Sequence, residues 1–280
     1  MFGKRSAQGD SGGPVSLGPV EFGHVANGHW VAVPRHFPTA DDSDPVSWAG
    51  RQAQLFRETR PRAGKKQTRE LFERVCTEAT LRYPGHDAYF ALISEGAAGE
   101  GAAVQVLFDL SASQAGSLDR LESLLVERAD PHLEVESGDH VEVPAAPARV
   151  VDVRAAQLGH GRCVIRRDRV RSTSAEIESM LTPEQLARYR DPAWWDQAIT
   201  IRWLFAVAGH DLAVSVRSTD RDELAAATPR IHEFLDAIST QSGGPMQPVT
   251  GSWQSCEAAI FEVLAAAAAD ERRVTDEPGQ

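Results

Sequence analysis

The sequence predicts an α+β fold: an antiparallel sheet with helices packed on it, two ββα-like units, and a C-terminal helix. Two observations carry the first part. Segments 88–129 and 199–239 share one plan: strand, turn, strand, a few small polar residues, amphipathic helix. Their strands alternate, with Val104, Val106, Phe108 and Leu110 in one unit and Ile199, Ile201, Trp203, Phe205 and Val207 in the other, the pattern of a sheet with one buried face. Because each hairpin runs directly into the helix that must cover it, the expectation is helices on one face only. The third observation is the apolar segment near the end, where Trp253, Ile260, Phe261, Val263 and Leu264 mark a last helix.

The remaining elements follow from periodicity and punctuation. His29–Val33 reads as a short strand stopped by Pro34. Trp48, Leu55 and Phe56 share a face of a helix over 48–58. Leu71, Phe72, Val75, Cys76 and Ala79 keep the i, i+3, i+4 rhythm over 68–81. A helix over 117–129 buries Leu118, Leu121, Leu124 and Leu125, and short strands are expected around 133–135, 150–153 and 163–170. Thr182, Pro183 and Gln185 form a capping-box signature that opens another helix. Asp220 opens the helix that carries Leu224, Ala227, Ile231, Phe234, Leu235 and Ile238, in which Pro229 is the weak point.

Composition bounds the function classes. In 280 residues, 42% are hydrophobic and 25% charged, as in a globular chain with a sizeable core. A formal net charge of −11 argues against a general nucleic-acid binder and against docking on anionic lipid. No stretch reaches the length of a membrane span, and no apolar run follows Lys4 and Arg5 as a secretory signal would require, so a cytoplasmic protein is expected. Three widely spaced cysteines, Cys76, Cys163 and Cys256, fit reduced thiols. Loose composition divides the chain into a flexible tail (1–20), an α+β domain (21–240), a linker (241–250), the C-terminal helix (251–274) and a short tail (275–280).

Gly9-Asp10-Ser11-Gly12-Gly13-Pro14-Val15 matches the nucleophile region of chymotrypsin-like serine proteases. That chemistry needs a histidine and a buried aspartate presented by strand-rich barrels, and the following hundred residues read as helical. The expectation is a chance match in a tail. His24, His29 and His36 lack carboxylate or thiol partners at ligand spacing, and His160 with Cys163 has no second pair, so neither metal nor cofactor is expected. Arg162, Arg166, Arg167, Arg169 and Arg171 form the one dense basic cluster. Alternation sends Arg162 and Arg166 to one face and the other three to the opposite face, the reading of an exposed or edge strand guarded by charge. Arg166, Arg167 and Arg169, with the pair Trp194 and Trp195 after Asp191-Pro192, are the candidate contact residues. In such a tryptophan pair one ring is more often buried and the other caps a loop.

Residues Ile199–Val207, Leu212–Ser218 and Leu224–Ile238 resemble the final strand pair and helix of PsbP-like α/β/α sandwich proteins. The Ala-, Arg- and Asp-rich, lysine-poor composition is similar to that of uncharacterised cytoplasmic proteins of actinobacteria. The PsbP-like resemblance implies a protein-binding role by analogy and brings no catalytic residue. The expectation is therefore a non-enzymatic protein-binding domain, such as an adaptor, chaperone or immunity-type partner. The C-terminal helix is expected either to pack on its own domain or to mediate self-association. The alternative is an enzyme whose site draws together residues distant in sequence, such as Asp139, His140, His160 and His210.

Overall fold

The computed structural model describes residues 15–17, 20–22, 30–82, 85–95, 101–112, 117–127, 135–137, 140–172, 174–207, 209–240 and 253–276. In chain order the first elements are β1 (Val15–Leu17), β2 (Val20–Phe22), β3 (Trp30–Ala32), α1 (Pro45–Thr59), α2 (Lys65–Arg82), β4 (Ala88–Glu95), β5 (Gly101–Ala112) and α3 (Ser117–Glu127). Next come β6 (Val135–Ser137), β7 (His140–Pro144), β8 (Arg149–Ala155), β9 (Gly159–Ser172), α4 (Ala175–Met180) and α5 (Pro183–Arg190). A 3-10 turn at Pro192–Trp194 leads into β10 (Asp196–Val207), β11 (His210–Ser218), α6 (Arg221–Ala237), β12 (Ile238–Thr240) and α7 (Gln254–Asp276). The fold is α+β, and both ββα units, β4-β5-α3 and β10-β11-α6, are present.

Nine strands form one antiparallel sheet in the order β3-β4-β5-β11-β10-β9-β7-β6. β8 also pairs with β9. The two units meet at β5 and β11, where Val106 faces Val216 and Leu110 faces Leu212. β7 and β8 pair with successive halves of β9, so together they behave as one interrupted strand. In the interruption the Ala145 amide still donates to the Arg167 carbonyl. β1, β2 and β12 form a second, small sheet. Strand structure is present at Val15–Leu17, inside the segment that composition marks as loose.

Helices cover both faces of the sheet, not one as the hairpin-to-helix pattern implies. On the first face Phe90, Cys163, Ile165, Ile201, Trp203, Leu212 and Val214 pack under Leu224, Ile231 and Leu235 of α6 and Ile260 and Leu264 of α7. On the second face Tyr89, Ala91 and Ile93 of β4 meet Trp48 and Phe56 of α1 and Phe72 and Val75 of α2. β4 is apolar at every position from Ala88 to Ile93, which is what burial on both sides demands. The two ββα units also send their helices to opposite faces. α6 lies over Trp203, while α3 lies on the side of Arg162, whose guanidinium pairs with Asp119 and Glu122.

Local signals explain the helix starts. Asp44 and Ser47 form a capping box at α1, with Pro45 in the first turn. Asp220 caps α6 by accepting from the Glu223 amide at 2.9 Å. Pro229 lies inside α6 on its exposed side and does not end the helix, because seven buried side chains on the other side hold both halves against the sheet.

Candidate functional site

β9 is an interior strand, paired with β10 on one edge and with β7 and β8 on the other. The reading of its arginines as the guard of a free edge is therefore corrected. The alternation stands, and it sends the arginines into two different settings. Arg166 faces the second side, where its guanidinium bonds Asp168 at 2.8 Å and Glu142 at 3.3 Å. Glu142 also pairs with Arg217 at 2.6 Å. Asp168 is fully buried, and that desolvation pushes its pKa up while the Arg166 hydrogen bonds pull it back. Arg167 points the other way and is held by Asp270 of α7 at 2.7 Å. Both side chains work inside the fold, one tying strands together and the other tying α7 down.

The remaining nominated residues meet at the end of β9. Thr182 caps α5 through the expected capping box with Gln185. Asp191 then accepts from the Ala193 amide and, with Pro192, turns the chain so that the two tryptophans diverge. Trp195 is buried, and its indole N–H donates to the Tyr189 carbonyl at 2.8 Å. Trp194 remains 39% exposed, with the Arg188 guanidinium 3.4 Å from its ring centroid. Arg169 donates to the Ala193 carbonyl at 2.9 Å and so fastens the turn to β9.

Arg171 organises the floor. Its guanidinium lies 5.3 Å from the Tyr189 ring and 5.1 Å from the Trp195 ring. It also bonds Glu178 of α4 at 3.2 Å, and Arg190 reaches the same carboxylate at 2.6 Å. These two arginines, Arg190 first, hold the Glu178 carboxyl below its ordinary pKa. The Tyr189 hydroxyl donates to the Ser172 carbonyl. The result is an open groove of about 510 Å³ whose lining includes Val170, Ile177, Leu181, Tyr189, Trp194 and Trp195. Ile177 and Met180 beside it are exposed apolar side chains, the latter at 70%. Among the described residues neither Arg169 nor Arg188 is paired with a carboxylate.

Sequence reasoning singled out Trp194, Trp195 and Arg169 as contact residues and placed Arg171 only in the basic cluster, but missed Tyr189, Arg188 and all of α4. The usable signal was the capped α5 running straight into Asp191-Pro192. α4 is six residues long, too short for a periodic pattern.

Of the four residues considered for an assembled enzyme site, the described pair His160 and His210 does not come together. His140 pairs with Ser172 at one end of β9, whereas His160 pairs with Arg154 near the other. His210 sits at the β10–β11 turn, on the strand phase of Leu212, while His160 has the opposite phase to Cys163. Asp139 and the side chain of His140 lie outside the described residues, as does Ser11. Among the described residues no group of three histidine, cysteine, aspartate or glutamate side chains is placed to hold a metal ion. No helix among them is long and apolar enough to cross a membrane. In comparison with known proteins, the chain matches no family model and no curated sequence.

Proposed function

We propose that this chain is a non-enzymatic protein-binding domain whose contact surface is the groove between the end of β9 and α5. The observation that carries the reading is Trp194, a large ring left exposed beside an aromatic-floored groove with Arg188 stacked on it. Tryptophan and arginine at a concave site are the residue types that dominate binding energy in interfaces. Arg169 and Arg188, which pair with no carboxylate among the described residues, define the occupant's chemistry. It is a partner segment that seats an apolar side chain on Trp194 and brings carboxylates to the two guanidiniums. The likeness of 198–238 to PsbP-like proteins supports binding over catalysis by analogy. Three free, buried cysteines support placement in a reducing cytoplasm. Self-association through α7 would have to use its outer side, around Phe261, since its apolar face is occupied by its own domain.

The test is capture of partners from source cells by wild-type protein and by Trp194→Ala and Arg188→Glu. Both positions are exposed, so folding is checked simply by unchanged thermal unfolding. A specific partner should be lost from both variants, with affinity reduced at least about tenfold. Its cross-links should map to the groove. Equal capture by wild type and variants, or cross-links elsewhere, would overturn the reading.

A further inference from the structure

Beneath α7, side chains from three elements converge on one of its sulfurs. Cys163 of β9 lies on the first face, directly opposite Trp203 in the β9–β10 register. Cys256 sits in the first turn of α7, and both cysteines are fully buried. The Cys163 thiol lies in the same buried cluster and interacts electrostatically with the Cys256 sulfur. From the other side, His232 of α6 places its Nε2 3.8 Å from the Cys256 Sγ. The imidazole is fixed on every side. Its Nδ1 lies 3.1 Å from the Glu257 carboxylate, its ring stacks on Trp253 with centroids 4.2 Å apart, and its plane stands at 90° to Trp203. The Trp203 indole N–H is buried without a conventional hydrogen-bond partner among the described residues, and it too acts on the Cys256 sulfur.

We propose that Cys256 and Cys163 form a peroxide-reactive thiol pair, oxidised to a disulfide that staples α7 to β9. Nucleophilic sulfur chemistry needs a stabilised thiolate with a second thiol in reach, and the site has both. The Cys163 thiol, and then His232 and Trp203, outweigh burial and lower the Cys256 pKa to about 6. Cys163, which gives up its proton last, is pushed up by burial and stays a thiol. Cys76 supplies the contrast, since burial alone raises it to about 12.

The chemistry balances with hydrogen peroxide as the oxidant. The Cys256 thiolate attacks one peroxide oxygen; an S–O bond forms and the O–O bond breaks. The departing hydroxide takes a proton and leaves as water, so Cys256 becomes a sulfenic acid. The Cys163 sulfur then attacks the Cys256 sulfur. An S–S bond forms, the S–O bond breaks, and the released hydroxide leaves as water with the Cys163 proton. The sum is two thiols and one peroxide giving one disulfide and two waters. Peroxide is little larger than water and needs only local opening of the first turn of α7, which Trp253 holds to Asp236 of α6 by a 2.8 Å hydrogen bond.

The test treats the folded, full-length protein with hydrogen peroxide, blocks remaining thiols after denaturation, and maps the cysteines by peptide mass spectrometry. The expected product is a Cys163–Cys256 linked peptide within one molecule, lighter by two hydrogen atoms and reversed by dithiothreitol. Loss of the Cys256 thiol should be at least ~10-fold faster than loss of Cys76, as its thiolate character dictates. In Cys163→Ser the reaction should stop at a Cys256 sulfenic acid that dimedone traps. The proposal is overturned if no such linkage forms, if it forms only in denatured protein, or if Cys76 is oxidised as fast. The wild-type measurement alone decides it, so a variant that fails to fold does not leave it open.

Discussion

Trp203 shows how one residue concentrates the stability of the fold. It is fully buried at the centre of the first face, touching the edge of His232 and enclosed by α6 and α7. Trp203→Ala should lose about 3–5 kcal/mol through lost transfer energy and a residual cavity. Its neighbour Arg202 lies on the second face, half-buried, with its Nε donating to Ser215 at 2.6 Å. Because that face is not bare, Arg202→Ala should not be neutral; losing the Ser215 hydrogen bond together with stem packing costs about 1–2 kcal/mol. Urea denaturation of both variants checks the ratio. Equal losses would mean that the two faces are covered equally well at this point of the sheet.

At the scale of elements, the groove depends on α4, a helix too short to persist without tertiary ties. Glu178 supplies them by bridging Arg171 of β9 and Arg190 of α5. The Arg190 hydrogen bond comes first among the causes that keep this carboxyl below its ordinary value of 4.5. A depressed folded-state pKa means that the tie is complete above pH 4.5 and is lost as pH falls through the lower folded value. The Trp195 indole N–H resonance should therefore move in an acid titration of the wild type. In Glu178→Gln it should already be displaced at neutral pH and show no acid step. A wild-type resonance that stays put in acid would mean that the ion pairs do not hold α4 in place.

For the whole molecule, α7 is the lid of the first face. With Trp253 just before it, it contributes Cys256, Ile260, Leu264 and Ala267 to the main core, and Gln197 and Arg167 bond its far end. Burying each large apolar side chain is worth about 1.5–3 kcal/mol, so the helix as a whole rivals the entire margin of an ordinary domain, about 5–15 kcal/mol. A chain ending at Thr240 should bind a hydrophobic dye and lose cooperative thermal unfolding. A soluble, cooperatively folding truncation would show that α6 alone can seal the sheet.

The sequence by itself determined what short-range geometry controls. The alternation of Ile199 to Val207 fixed which side chains of β10 face α6, and the arginine parity of β9 was legible for the same reason, since successive residues of any strand point to opposite faces. The capped start of α5 was legible because Thr182 and Gln185 satisfy backbone groups three residues apart. Beyond the two hairpins, only the tertiary structure decided which strands are neighbours. β9 looked like an edge because its charges suit one, yet ion pairs to Glu142, Asp168 and Asp270 make those charges fit an interior strand. The same holds for Cys163, His232 and Cys256, which lie on three elements far apart in sequence. No local pattern encodes their meeting, because it is set when the β9–β10 pairing, α6 and α7 close over one face and bury three polar side chains that must then satisfy one another.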